Sequence, residues 1–263
     1  MARRYHINPK TGTPSQCRAL SRCPFGEVED HYATLEEAQG AYETMQSKSH
    51  LEGKKKLVIS DVDGTLLNTS LVLYNAVELH REGKIDVGDL ADRWEADKKN
   101  EELITALAIK YVSELKDKDV TLIEANSTVR TLLSERKNFY STLRRLVKLK
   151  QEGYDVVLIT GSPDYLVKPF AEKFGFNFVA SIYHKEAGKF TGDITLMAGS
   201  NAKVAAIAKL DLQQYDEVIG MGDTASDVPI LQVSDHTVLV DPTQETLAAL
   251  RQKGIVPDEI IDS

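Results

Sequence analysis

The sequence predicts an α/β fold in which a parallel sheet is sandwiched between helices, and two observations carry this prediction. From residue 56 onward, short apolar runs of strand length recur between turn residues, as in strands that are buried on both faces. Segments with helical periodicity separate most of these runs, which is the order of strand–helix–strand units in a parallel sheet. A helical insertion after the first strand and a distinct N-terminal stretch complete this Rossmann-like arrangement.

The elements of the core follow from these patterns. The apolar runs predict strands at residues 57–60, 155–159, 178–181, 217–221 and 237–240. The segments between them predict helices at residues 164–174, 201–210, 225–233 and 243–253. We therefore assign residues 51–74 and 150–263 to one catalytic-type core.

The interval between residues 73 and 153 breaks this rhythm because it is helical throughout. Apolar residues recur every four positions at Leu103, Leu107, Tyr111 and Leu115, and Gly153 is placed to end the last helix. About 80 residues is far more than a crossover between parallel strands needs. Residues 75–149 are therefore predicted to form a separate α-helical insertion.

Residues 1–50 differ from the rest and predict a small N-terminal module of unknown role. Five basic residues and no acidic ones occur up to Gly26, whereas six acids and one lysine follow between residues 27 and 50. Thr34 and Glu37 have the spacing of a capping box and predict a helix over residues 34–45. The polar run at residues 46–56 is interpreted as a linker.

Composition limits the class of protein. The net charge of −8 argues against a dominant nucleic-acid or anionic-membrane surface. No apolar run approaches 18 residues and no signal-peptide pattern is present, so we expect a soluble cytoplasmic protein. Cys17 and Cys23, with His6 and His31, are the residue types of a zinc site, but the gap between the cysteines is wider than the usual spacing and disfavours one.

Candidate functional residues cluster at predicted strand ends, where ligands of open parallel sheets bind. They are Asp61 and Asp63 after the first strand, Thr160 at the end of the second, Lys203 in the first turn of the helix that precedes the fourth strand, and Asp223 and Asp227 after the fourth strand. Two carboxylates 4 Å apart repel by about 4 kcal/mol at an effective dielectric near 20, so four of them require a cation. Oxygen ligands favour Mg²⁺, and the lysine and the hydroxyl suit a phosphoryl group.

Other interpretations of these motifs fit less well. A calcium loop starting at Asp61 needs Gly and Glu where Leu66 and Val72 stand. Residues 220–225 match a dinucleotide fingerprint, but Asp223 and Asp227 place negative charge where a pyrophosphate should bind. Ser162 is interpreted as a helix cap rather than as a functional residue.

The order of these motifs resembles that of the haloacid dehalogenase-like (HAD) phosphatase superfamily. The motifs are Asp61-x-Asp63-Gly64-Thr65, Thr160, Lys203 and Gly222-Asp223-x₃-Asp227. The helical insertion resembles the cap of the phosphoserine-phosphatase-like branch, as do residues 160–167 and the hairpin-like residues 188–193. The resemblance covers about residues 55–254 and leaves residues 1–50 unexplained.

The resemblance implies a role for each matched residue. Asp61 is the nucleophile that becomes an aspartyl-phosphate, and Asp63 is the general acid and then the general base. Thr160, Gly161 and Lys203 bind the phosphoryl group. Mg²⁺ is held by Asp61, the backbone carbonyl of Asp63, and Asp223, with Asp227 in support. Ser60 and Thr160 depart mildly from the usual family residues, and neither departure removes a needed group.

The sequence therefore predicts a Mg²⁺-dependent phosphatase that acts on a small phosphorylated metabolite. The charged residues Arg93, Glu95, Lys98 and Lys99 are candidate substrate contacts in the cap, although such a run commonly forms a solvated helix face. Two alternatives stay open. One is a phosphatase of nucleotides or nucleic-acid ends guided by the basic segment at residues 1–26, and the other is an inactive scaffold that docks a partner through residues 1–50.

Overall fold

The computed structural model describes residues 5–8, 11–19, 23, 25, 30–52, 55–97, 100–124, 141–196 and 199–262 of the chain. Its strands are β1 (Tyr5–Ile7), β2 (Pro14–Gln16), β3 (Lys56–Ser60), β4 (Asp155–Pro163), β5 (Asn177–Glu186), β6 (Lys189–Thr195), β7 (Glu217–Gly222), β8 (His236–Val240) and β9 (Glu259–Ile261). Its helices are α1 (Leu35–Glu52), α2 (Leu71–Arg81), α3 (Leu90–Ala96), α4 (Glu101–Leu115), α5 (Val120–Glu124), α6 (Ser141–Gln151), α7 (Asp164–Phe174), α8 (Gly199–Ile207), α9 (Val228–Gln232) and α10 (Gln244–Gln252).

A seven-stranded sheet in the order β6-β5-β4-β3-β7-β8-β9 organises the molecule. All of its pairs are parallel except β5–β6, which is an antiparallel hairpin. The chain leaves β3 toward β4 on one side and later returns to β7 on the other. This reversal places a topological switch point beyond the carboxyl end of β3, where open α/β sheets bind their ligands.

The structure confirms the predicted α/β fold and extends several of its strands. Each of the five predicted strands is present, and β4 and β5 continue past their predicted ends to Pro163 and Glu186. The hairpin-like residues 188–193 begin the turn and strand of the β5–β6 hairpin, in which Gly188 adopts a positive φ. Sequence patterns missed the three-residue strands β1, β2 and β9 because so short a segment shows no periodicity.

Helices α2 to α6 form the insertion between β3 and β4, apart from residues 125–140, which lie outside the described residues. Leu107, Tyr111 and Leu115 of the predicted α4 stripe are buried in one hydrophobic cluster with Tyr165 of α7 and Phe190 of β6. Leu103 is buried as well. The Tyr111 hydroxyl donates to Asn75 Oδ1 of α2 at 2.7 Å and contacts the hydroxyl of Tyr165. The insertion therefore packs directly on the core, and its division from the core at residues 75 and 149 stays a prediction.

The N-terminal residues form a two-stranded antiparallel sheet, β1–β2, followed by α1. Thr34 and Glu37 make the predicted capping box, since the Glu37 amide donates to Thr34 Oγ1 at 3.1 Å and the Thr34 amide donates to Glu37 Oε2 at 3.4 Å. The predicted linker at residues 46–56 is wrong for its first part, because α1 continues to Glu52. The sequence from Gln46 to Glu52 contains neither glycine nor proline, and polar side chains alone do not end a helix. Among the described helices, none is long and apolar enough to cross a membrane.

Candidate active site

Asp61 directly follows β3, and hydrogen bonds at both its amide and its carbonyl hold its backbone in place. Its amide donates to the Met221 carbonyl at 3.0 Å, which prolongs the pairing of β3 with β7. Its carbonyl accepts a hydrogen bond from Ser60 Oγ at 2.7 Å. The side chain is buried, and its Oδ1 accepts from Lys203 Nζ at 2.8 Å. The geometry thus presents one carboxylate at the centre of the sheet edge.

Lys203 joins two parts of the site from α8. Helix α8 begins at Gly199, so Lys203 lies in the second turn and not in the predicted first turn. Its side chain is only 3% exposed and its Nζ contacts both Asp61 Oδ1 and Asp227 Oδ1. Burial alone would lower the pKa of Lys203, but the two carboxylates outweigh it and hold the pKa above its usual value. The ammonium therefore stays charged at the base of the site.

Asp227 holds the loop that carries Asp223. It is fully buried, and its Oδ2 accepts hydrogen bonds from the Asp223 amide at 3.1 Å, the Thr224 amide at 3.0 Å and Thr224 Oγ1 at 3.1 Å. With Lys203 on the other oxygen, this carboxylate is saturated by protein donors. These bonds orient both the lysine and the Asp223 loop.

The side chain of Asp223 lies very close to the loop that follows β3. Thr65 Oγ1 donates to Asp223 Oδ1 at 3.0 Å. Gly64 has φ +87°, and a Cβ at this position would lie 2.1 Å from Asp223 Oδ2. Glycine is therefore required at position 64 both for its backbone conformation and for the contact.

Three of the four carboxylates that were expected to cluster do so. One oxygen each from Asp61, Asp223 and Asp227 lies within 4.8 Å of the others, and Asp63 is not part of this group. Burial, and then the charge of Asp227, raises the pKa of Asp61 well above its usual range. The same two causes raise the pKa of Asp223 to about 7. One lysine does not balance three carboxylates, and the cluster offers only hard oxygen donors. These donors fit Mg²⁺, which prefers a few carboxylates and completes its shell with water and phosphate oxygens.

Asp63 occupies a different environment two residues from Asp61. Its Oδ1 accepts from the Leu71 amide at 2.6 Å, and its Oδ2 accepts from Thr160 Oγ1 at 3.0 Å and Ser162 Oγ at 2.6 Å. Burial raises the pKa of Asp63, and these three donors offset only part of that effect. The Asp63 side chain thus stands apart from the carboxylate cluster and is suited to carry a proton.

The interpretation of Ser162 as a helix cap is wrong. Pro163 occupies the N-cap position of α7, and Ser162 is buried with its hydroxyl on Asp63. Strand β4 continues to Pro163, and side chains two apart on a strand share a face, so Thr160 and Ser162 point the same way. Gly161 lies between them, and its carbonyl accepts from Ser181 Oγ at 2.7 Å.

The proposed cap contacts have no demonstrated role in the described structure. Arg93 is exposed on α3 and pairs with Asp89 at 3.6 Å. Glu95 pairs with Arg81 at 2.5 Å. Lys98 and Lys99 lie outside the described residues. Substrate recognition by these four side chains stays a prediction.

Comparison with known proteins agrees with this geometry. Residues 58–232 match the family described as haloacid dehalogenase-like hydrolase, and the chain belongs to that family. The chain is also 27% identical over 187 residues to a phosphoserine phosphatase from Methanocaldococcus jannaschii, covering 69% of this chain and 83% of the relative. These findings confirm the predicted superfamily and its phosphoserine-phosphatase-like branch, and they place the chain among the phosphoric monoester hydrolases.

Two solved structures share the fold. A protein of unknown function from Bordetella pertussis Tohama I has a TM-score of 0.60 at 21% identity, covering 80% of this chain and 99% of its own. A phosphoserine phosphatase in apo form has a TM-score of 0.51 at 23% identity, covering 79% of this chain and 94% of its own. The α/β fold is thus common to these proteins.

Proposed function

We propose that the protein is a Mg²⁺-dependent phosphatase that hydrolyses a small phosphorylated metabolite through an aspartyl-phosphate on Asp61. The observation that carries this proposal is the separation of two neighbouring carboxylates into different environments. Asp61 lies beside Lys203 in the carboxylate cluster, whereas Asp63 is held by hydroxyl and amide donors outside it. Two carboxyl groups with divergent surroundings are suited to two chemical roles.

The reaction divides into two displacements at phosphorus. In the first, an Asp61 oxygen bonds to phosphorus while the bond to the ester oxygen breaks, and Asp63 gives its proton to the departing alcohol. In the second, water attacks phosphorus, the Asp63 carboxylate accepts the proton of that water, and Asp61 is released with orthophosphate. Such a covalent relay replaces one difficult step with two easier ones, in a reaction where enzymes accelerate the uncatalysed rate by up to ~10²¹.

The remaining residues hold the phosphoryl group. Lys203 stays protonated beside Asp61 and balances charge on the phosphoryl oxygens. Thr160 and Gly161 lie near the end of the neighbouring strand β4, where the Thr160 hydroxyl donates to Asp63. Asp61, the Asp63 carbonyl and Asp223 would hold Mg²⁺, with Asp227 fixing the Asp223 loop. When bound, the ion would neutralise phosphoryl charge that develops in the transition state.

The insertion is anchored at the site by both of its ends. The Leu71 amide at the start of α2 donates to Asp63, and Thr142 Oγ1 near the start of α6 donates to the Thr65 carbonyl at 2.6 Å. These two bonds connect the helices of the insertion directly to the loop that carries Asp63 and Thr65. We propose that residues 75–149 act as a cap that closes over the substrate and excludes water.

A phosphorylated-metabolite screen tests the proposed function, with p-nitrophenyl phosphate as the general substrate and phosphoserine as the first metabolite. We expect phosphate release that needs Mg²⁺ and stops with a chelator. Asp61→Asn should abolish turnover, and Asp63→Asn should lower it by about 10²–10⁴. The exposed carboxylate of Asp193 provides the matched control, since Asp193→Asn should leave turnover unchanged. Full turnover in Asp61→Asn contradicts the mechanism.

Ser162→Ala tests the assignment of the acid. Loss of the Ser162 hydroxyl removes a donor that stabilises the Asp63 carboxylate, so the pKa of Asp63 should rise and the alkaline limb of the kcat/KM profile should move to higher pH. Ser113→Ala is the control, because Ser113 is exposed and its hydroxyl donates to the Lys110 carbonyl of its own helix. An unmoved pH profile in Ser162→Ala would remove Asp63 from the acid role.

The alternative of a nucleotide or nucleic-acid-end phosphatase gains no support from the described structure. Four of the five basic residues between Met1 and Gly26 lie outside the described residues, and Arg18 is exposed. This alternative stays a prediction that low-salt oligonucleotide binding can test. The second alternative, an inactive scaffold, is disfavoured because the chain belongs to a hydrolase family and keeps the full set of site residues.

A further inference from the structure

Four side chains of the types that bind metal ions lie close together in the N-terminal module. His6 lies in β1, Cys17 directly follows β2, and Cys23 and His31 come from the segment before α1. One ligand atom from each of the four lies within 4.8 Å of the others. The sequence gap that disfavoured a zinc site is not a constraint here, because the ligands come from separate parts of the chain.

The distances fit a tetrahedral ion. Zinc–sulfur bonds of about 2.3 Å and zinc–nitrogen bonds of about 2.0 Å at tetrahedral angles place a sulfur and a nitrogen ligand roughly 3.6 Å apart. His6 Nδ1 and Cys23 Sγ are 3.5 Å apart. The rings of His6 and His31 are nearly perpendicular, with an interplanar angle of 87° and centroids 5.6 Å apart, so they approach from different directions.

Neighbouring groups orient the ligands. Ser15 Oγ contacts His6 Nε2 at 3.1 Å, which leaves Nδ1 as the nitrogen that faces the sulfur of Cys23. The Phe25 amide donates to Cys23 Sγ at 3.4 Å, a contact that favours the thiolate. Such outer contacts are typical of metal sites, where they fix the histidine tautomer and the direction of the ligand.

The composition of the module's interior gives a reason for a metal. Among the side chains described in residues 5–45, those that are buried belong to His6, Ile7, Cys23 and Ala38. Only two of these four side chains are aliphatic, and β1 and β2 pair over only three residues each, so the described interior of the module supplies little apolar stabilisation of its own. Neither Cys17 nor Cys23 is in a disulfide, so no covalent cross-link replaces a core.

We propose that His6, Cys17, Cys23 and His31 bind one Zn²⁺ ion that holds the N-terminal module folded. Two sulfur and two nitrogen ligands in tetrahedral reach select zinc over the magnesium that suits the carboxylate cluster. Four protein ligands leave no open position, so the site is structural rather than catalytic. An open cavity of about 300 Å³ lined in part by His6, Cys17 and Cys23 gives the ion a path from solvent.

Elemental analysis of the full chain, purified without a polyhistidine tag, tests this inference. We expect about one zinc per chain, retained in Asp223→Asn, which disables the carboxylate cluster, and lost in Cys17→Ser and His31→Ala. His184→Ala is the matched control, since His184 is exposed on β5 and contacts Thr195 Oγ1. Substitution with Co²⁺ should give the intense visible and sulfur-to-metal bands of a tetrahedral thiolate site.

A measurement on the wild-type chain covers the case in which the variants fail to fold. Both thiols should resist a thiol reagent while zinc is bound and react once a chelator removes it. Three results would overturn the inference: reduced wild-type protein that takes up no zinc, zinc content that depends on Asp223 but not on Cys17 or His31, or a non-reduced mass showing a disulfide between the cysteines.

Discussion

Asp223→Asn should stabilise the metal-free protein while removing its response to Mg²⁺. Oxygens of Asp61, Asp223 and Asp227 lie within 4.8 Å of one another, so each pair of charges repels by about 3 kcal/mol or more at an effective dielectric near 20. Asparagine keeps the shape of the side chain and still accepts the hydrogen bond from Thr65. The substitution therefore removes charge with little change in packing.

The pKa of Asp223 gives the sign of this stability change and an upper limit to its size. Burial, and then Asp227, raises this pKa to about 7, whereas the unfolded carboxyl titrates near its ordinary value. Between about pH 4 and 7 the folded state holds a proton that the unfolded state has lost, so wild-type stability falls as pH rises. The shift corresponds to about 4 kcal/mol at most, and the lost attraction to Lys203 offsets part of it. We expect Asp223→Asn to gain about 2 kcal/mol above pH 7 and nothing near pH 4.

Urea unfolding with a chelator, at pH 8 and at pH 4, measures this gain directly. Wild type should gain stability from Mg²⁺ at pH 8, and Asp223→Asn should not. Asp193→Asn, on an exposed carboxylate, should match wild type in every condition. A chelated Asp223→Asn protein that is less stable than wild type at pH 8 would refute the charge argument.

Three further substitutions test other parts of the account. Gly64→Ala should lose activity and Mg²⁺ stabilisation, because the new Cβ would lie 2.1 Å from Asp223 Oδ2. Gly83 is the matched control, since it has φ +68° and open space around it, and Gly83→Ala should cost only about 1 kcal/mol of backbone strain. Equal effects of the two glycine variants would contradict the close approach. Tyr111→Phe should lower the free energy of unfolding by about 1–3 kcal/mol, because it removes a donor to a buried amide oxygen of α2; urea unfolding checks this, and an unchanged value would count against it. Lys203→Met should lower the free energy of unfolding by about 3–5 kcal/mol in the presence of a chelator, because two buried carboxylates lose their cation. A stable Lys203→Met protein with full turnover would show that the lysine is dispensable.

The carboxylate cluster could be predicted from sequence because strand ends define it. Asp61 and Asp223 follow apolar runs that are recognisable without a structure, and parallel strands bring their carboxyl ends to one edge. Lys203 was predicted from its chemistry, although α8 begins two residues earlier than its pattern suggests. Charge repulsion then required a cation whatever the detailed geometry.

Features that depend on where an element ends were harder to predict. Ser162 joins the site only because β4 runs four residues past its apolar part, which a hydrophobic pattern does not show. Helix α1 continues through polar residues to Glu52 for the same reason. The sequence offered His6, Cys17, Cys23 and His31 as the residue types of a zinc site, but the spacing of the cysteines disfavoured one, and only the folded chain shows the four side chains close together.

The most direct test of the nucleophile is capture of the phosphorylated enzyme. Brief reaction with p-nitrophenyl phosphate and Mg²⁺, acid quench and borohydride reduction convert an aspartyl-phosphate to homoserine, which peptide mass mapping locates. We expect the change at position 61 in wild type, its loss after treatment with hydroxylamine, and its absence in Asp61→Asn. Turnover with no modified carboxyl group, or with the modification at Asp63 or Asp223, would show that phosphorus is attacked by something other than the side chain beside Lys203.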